Sequence, residues 1–135
     1  MKNKVLELHE IEDRSVKLNV LGQPIDECSC EPMTGWLRDG SCNTDDLDFG
    51  HQVVCCVVDE EFLAFSKEAG NDLSTPHPDM GFPGLKPGDH WCLCALRWKE
   101  AFEQGKAPKV VLESTHRSAL TVLTLEELKQ FSYNH

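Results

Sequence analysis

No stretch of this chain is apolar over the length needed to cross a bilayer, and its 13 Lys and Arg residues are scattered rather than gathered into a basic patch. The first lack removes a transmembrane helix. The second, together with 23 acidic residues and a formal net charge of -10, sets the chain against phosphate backbones and anionic lipid. Neither nucleic acid nor membrane is therefore an expected partner, which leaves a small molecule or another protein. Residues 1–13 lack the apolar run of a signal peptide, so the expected location is cytoplasmic. The Cys-x-x-Cys knuckle common in zinc sites is missing, and so are internal repeats and low-complexity tracts.

What is present fits one ordinary domain. A chain of 135 residues, 40% hydrophobic, can bury about two thirds of its unfolded surface without staples. Its seven cysteines are an odd number and too sparse for a disulfide scaffold. In a reducing cytosol their expected state is the free thiol. Cys92 and Cys94, two apart in an apolar run, would lie about 6.6–7 Å apart on one face of a strand, too far to bond to each other without bending.

Residues 1–17 read as an N-terminal strand or partly ordered arm, and residues 18–135 as a single α+β domain. Val16 to Leu21 looks like a short strand ended by Gly22 and Pro24. From Gln23 to Gly50 the chain is too rich in Gly, Pro, Asp, Asn and Ser for a long element. A loop of that length points to function or internal bracing, and a bound ion at Cys28, Cys30 and Cys42 would supply the brace. Gln52 to Val58 reads as a buried strand. A helix follows, with Asp59, Glu60 and Glu61 at its start and Gly70-Asn71 at its close. Asp72 to Gly88 is a second irregular stretch. His90 to Ala95 is a strand turning into a helix through Trp98 and Phe102, and Lys109 to Leu112 is another strand. Thr124 and Glu127 form a capping box. The expected fold is α+β: a small mixed sheet, two to four short helices and two long irregular loops.

Three constellations can carry chemistry. Cys42, Cys55, Cys92 and Cys94 are the residue type and number that zinc takes, with Cys28, Cys30 and His51 as substitutes. The competing reading makes Cys92 and Cys94 small apolar core residues beside Trp91 and Trp98. A thiol nucleophile at Cys55, Cys92 or Cys94 would need a base, and His90 is near in sequence, as are His77 and Arg97. Burial in an apolar strand opposes that role by raising the thiol pKa, and vicinal Cys55 and Cys56 must face opposite sides. The polar turn Asn71, Asp72, Ser74 and Thr75, with Asp89, Arg38 and Arg97, can line a ligand pocket over the Cys92–Cys94 strand, or simply cap the helix. Asp45, Asp46 and Asp48 lack the spacing of a calcium loop. The leading functional expectation is a small ligand-binding module whose pocket the two long loops build over the Cys92–Cys94 strand, with or without zinc as a structural brace. A thiol-dependent enzyme and a protein-interaction factor with purely structural cysteines are the alternatives.

Several blocks together carry a resemblance. They include Gly35-Trp-Leu-Arg-Asp-Gly40 with Cys42, Val54-Cys55 leading to Phe62-Leu63-Ala-Phe-Ser66, Gly70-Asn-Asp-Leu-Ser-Thr-Pro76, Phe82-Pro-Gly-Leu-Lys-Pro-Gly-Asp89 and Trp91-Cys-Leu-Cys-Ala95. The chain resembles, over roughly residues 18–130, the bacterial family known as domain of unknown function 2237. The resemblance implies a small stand-alone protein and no particular activity. The family pattern carries a His where Gln52 stands here, and His51 lies one place earlier. Consecutive strand residues face opposite sides, so only a local bulge would let His51 take that place.

Overall fold

The computed structural model describes residues 17–35, 37–44 and 52–133. All but the last residue of the N-terminal arm expected over residues 1–17 lies outside them, as do Trp36, Asp45, Asp46, Asp48 and His51.

An antiparallel sheet of three strands organises the molecule, in the order β2-β1-β3, with β1 at Gln52–Val57, β2 at His90–Cys94 and β3 at Lys109–Val110. Its only parallel element among the described residues is an isolated bridge between Val110 and Ser132. The run Val53-Val-Cys-Cys-Val57 is β-branched and apolar, and it fills the centre of the sheet, where both faces are covered. The two-residue period of the strands then sorts the side chains. Val54, Cys56, Leu93 and Val110 face the main core, whereas Cys55, Cys92 and Val111 face a smaller cluster with Cys28 and Cys42. The register slips between Gln52 and Val54, so that Gln52 stands opposite Cys94 and Val54 opposite Leu93.

Three helices close the main core. Helix α1 spans Glu60–Glu68, and the Asp59 carboxylate at its N-cap accepts the Phe62 amide at 2.7 Å. Phe62 and Leu63 point inward, and Gly70, at φ +99°, turns the chain out of the helix. Helix α2, Ala95–Glu103, leaves β2 directly and buries Trp98, whose indole N–H donates to the Pro108 carbonyl at 3.1 Å. Phe102 stacks on Trp98, and Phe131 meets the Trp98 ring edge-on. Helix α3, Leu125–Lys129, begins with the expected capping box. The Thr124 hydroxyl accepts the Glu127 amide and the Glu127 carboxylate accepts the Thr124 amide.

Two local expectations change. The segment expected as a strand up to Leu21 is a turn, with only single bridges of Leu18 to Pro24 and Asn19 to His116. Asn19 causes it: its buried side-chain oxygen accepts the amides of Leu21 and Gln23. Strand β3 is shorter than Lys109 to Leu112, because Leu112–Ser114 winds into a 3-10 turn.

The described part of the loop from Gln23 contains neither helix nor strand. It is tied down instead. The Gly40 carbonyl accepts the amides of Cys28 and Ser29 at 2.7 and 2.9 Å, and the Gly40 amide donates to the Thr34 carbonyl. Gly40 sits at φ +88°, and a Cβ there would come within 2.8 Å of the Cys30 sulfur, so the position requires glycine.

Candidate functional site

The pairing of β1 with β2 sets Cys55 directly opposite Cys92. The long loop lays Cys28 and Cys42 against them, and the cysteines join as Cys28–Cys55 and Cys42–Cys92, with Cα atoms 5.8 and 5.3 Å apart. The sulfurs of Cys28, Cys42 and Cys55 all lie within 4.8 Å of one another, and Cys92 is bonded to one of them. Four sulfurs thus occupy one buried spot, covered by Val111, Ile25, Val57 and Tyr133. Two threonines lock the strand cysteines in place. The Cys55 amide donates to the Thr115 hydroxyl at 3.1 Å, and the Cys92 amide donates to the Thr34 hydroxyl at 2.9 Å. Both threonines are fully buried. Asn43, beside Cys42, keeps a buried side-chain oxygen with no hydrogen-bond partner among the described residues.

This arrangement corrects the expectation of free thiols for Cys28, Cys42, Cys55 and Cys92. Spacing along the chain could not reveal the pairs, because the partners stand 27 and 50 residues apart. Of the candidate metal ligands, Cys42, Cys55 and Cys92 lie together, joined by Cys28 rather than by Cys94. Cys94 pairs with Gln52 beyond the bulge and serves as the N-cap of α2, which carries it away from the centre. In their disulfide form Cys55 and Cys92 are not nucleophiles. Vicinal Cys55 and Cys56 do face opposite sides, and both are buried. The Cys56 thiol lies in the main core, where burial pushes its pKa up, far from attack at neutral pH. Cys30 is exposed, but its thiol donates to the Glu27 carboxylate at 3.2 Å, and that hydrogen bond raises its pKa.

The remaining expected residues divide between hollows. Asn71 and Arg97 line a hollow of about 310 Å³ with Gln52, Trp91, Cys92 and Cys94. Arg97 also donates to the Ala69 carbonyl at 3.1 Å and pairs with Glu100 at 3.3 Å. His90 lies on another side, in a hollow of about 520 Å³ with Asp26, Glu27, Cys28, Glu113 and Tyr133, and its ring meets Tyr133 edge-on. Ser74 borders a third hollow beside Glu60, Lys67 and Lys86. Asp72 is exposed and spends its oxygens locally. It accepts the amides of Ser74 and Thr75 and the Thr75 hydroxyl, which holds its pKa below the usual carboxylate range. Asp89 accepts the Lys86 amide at 2.9 Å. Arg38 is exposed at φ +55°, while its neighbour Asp39 accepts the Ser41 amide. His77 stacks on Phe82.

Residues 18–132 match the family described as uncharacterized protein conserved in bacteria, DUF2237. The chain belongs to this family. All four cysteines of the centre fall inside the DUF2237 match, as do the linings of the three hollows except Tyr133. No curated protein matches the chain. Sequence reasoning ranked Cys28 only as a substitute. The sign that could have raised it is its place in a loop too long to hold itself without bracing.

Proposed function

We infer that this protein is a small metal- and redox-responsive module, whose four buried cysteines hold one soft divalent ion, zinc by preference, when they are reduced. The convergence of Cys28, Cys42, Cys55 and Cys92 carries this reading. In a zinc tetrathiolate, Zn–S bonds of about 2.3 Å put the sulfurs about 3.8 Å apart. Breaking the two disulfides lets bonded sulfurs separate toward that spacing, and the sulfurs of Cys28, Cys42 and Cys55, within 4.8 Å of one another, have at most about 1 Å to close. Binding a divalent ion would release four protons, and the four thiolates with the ion would carry a net charge of two minus. Oxidation by two equivalents of a two-electron oxidant, a disulfide or a peroxide, would remove four electrons, form both disulfides and expel the ion.

The test is cobalt(II) titration of the anaerobically reduced protein. One equivalent should bind with the visible bands of a tetrahedral thiolate site, zinc should displace it, and Cys55→Ser should weaken uptake at least tenfold, whereas Cys94→Ser should not. Absence of uptake by the reduced wild type, or equal uptake by Cys55→Ser, overturns the reading.

The hollow of about 310 Å³ favours a second role, binding of a small organic anion. Trp91 and Leu73 supply apolar wall, and Asn71 and Arg97 supply a donor amide and a cation. Thermal-shift screening with small carboxylates checks it. A stabilising compound whose effect persists in Asn71→Leu and Arg97→Ala would count against this site.

A further inference from the structure

The two disulfides are not equally open to solvent. Cys42, Cys55 and Cys92 are 0% exposed, even though Cys92 borders the hollow of about 310 Å³, whereas Cys28 retains 8% and lines the hollow of about 520 Å³. Asp26, Glu27 and Glu113 put three carboxylates around that hollow, and among the described residues no Lys or Arg lines it. His90 lines the hollow too, as does Tyr133, which packs against the sulfur cluster. Cys30, the exposed thiol closest in sequence, is engaged elsewhere: its thiol donates to the Glu27 carboxylate at 3.2 Å.

We propose that the acidic hollow is the reductant-binding site of the centre: a small neutral or cationic thiol enters there, attacks Cys28, and every reducing equivalent passes inward from that sulfur. This proposal deepens the redox half of the function inferred above and rests on it. In the first step the entering thiolate bonds to the Cys28 sulfur, the Cys28–Cys55 bond breaks, and Cys55 leaves as a thiolate. Cys55 then stands within 4.8 Å of the Cys42 sulfur. It attacks Cys42, forms a Cys42–Cys55 bond and expels the Cys92 thiolate. A second entering thiol resolves the mixed disulfide, leaving as the oxidised dimer of the reductant and freeing Cys28. Cys28 can then attack Cys55, which restores Cys28–Cys55, releases Cys42 and makes the remaining bond reachable from the same hollow. Two further thiols complete the reduction. In total four reductant thiols give two oxidised dimers and four protein thiols, the thiolates taking up the protons released. The carboxylate rim sets specificity by raising the local concentration of cations and lowering that of anions.

Mass mapping of mixed disulfides decides the matter on the folded wild-type protein. Cysteamine, 2-mercaptoethanol and mercaptosuccinate are each added in limiting amount, acid-trapped, and the adduct located. The adduct should fall on Cys28. Each rate, divided by that thiol's rate on a small disulfide in solution, should descend from the cation to the anion by about tenfold in total, and the spread should shrink in high salt and in the Asp26→Asn, Glu113→Gln double variant. In Cys28→Ser, the Cys42–Cys92 bond should resist reduction at least tenfold better than in wild type. An adduct on Cys92 or Cys42, or rates indifferent to charge, overturns the proposal. An adduct on Cys28 in a protein whose reduced form takes up no cobalt upholds it and defeats only the metal reading; cobalt uptake with the adduct on Cys92 does the reverse.

Discussion

Thr34 and Thr115 do the same work from two different loops. Each offers its hydroxyl oxygen to the amide of a strand cysteine, at 2.9 Å for Cys92 and 3.1 Å for Cys55. Thr115 in turn donates its proton to the Val111 carbonyl at 2.9 Å, so one buried hydroxyl satisfies two backbone groups. Thr115→Val preserves shape and removes both bonds. It leaves a buried N–H without a partner, a loss of about 1–3 kcal/mol. Urea unfolding should show that drop as a lower midpoint with unchanged slope, while Thr115→Ser should recover most of it. A Val variant as stable as the parent would mean that the hydroxyl is not what holds Cys55. The residue scale is also where the sequence was partly legible. Cys42, Cys55 and Cys92 stood out as sulfurs in structured or loop-bracing positions, and the alternation of Cys55 with Cys56 follows from the period of a strand. Cys94 shared every local property of Cys92, but the turn of the chain into α2 one residue later separates them.

Among the elements, the signals that depend on near neighbours were readable: Asp59 before α1, Gly70 at its close, and Thr124 with Glu127 at α3. Pairing between distant segments was not, and the long loop illustrates why. Its backbone is ordered by Gly40 and by bonds to strands far away in sequence, for which no local pattern exists. The 3-10 turn Arg117–Thr121 is another element fixed by a side chain. The His116 ring nitrogen Nδ1 accepts the Ser118 amide at 3.0 Å, which requires the ring to be unprotonated there. Burial, with Lys17 and Arg117 nearby, lowers the His116 pKa. The unfolded chain, with an ordinary imidazole near pKa 6.5, then binds protons more readily than the folded one below about pH 7. Stability should therefore be level above that range and fall as the pH drops through about 6.5 toward the lowered folded value, flattening below it. Urea midpoints between about pH 7.5 and pH 5 should trace this fall, and His116→Asn, which can still cap the turn, should show less of it. Parallel curves for the two proteins would dismiss the imidazole as the cause.

For the whole molecule, the centre ties the question of location to the question of chemistry. No helix among the described residues is long and apolar enough to cross a membrane. In the reducing cytoplasm expected from the sequence, the four sulfurs would be thiols, and an ion would replace the covalent brace of the long loop. In an oxidising setting the paired disulfides would serve instead. The order of those pairs along the chain matters in its own right. First joins third and second joins fourth, Cys28 to Cys55 and Cys42 to Cys92, so the two covalent rings overlap. A single proteolytic nick anywhere between Cys28 and Cys92, after exposed Arg38 for example, then severs the backbone without releasing a fragment. On a gel the oxidised, nicked protein should run as one intact band and split into two only after dithiothreitol; two bands without reductant would refute the interlaced pairing. Oxidised, the molecule survives being cut once with every atom still attached; reduced and stripped of metal, the same wound sends its two halves apart.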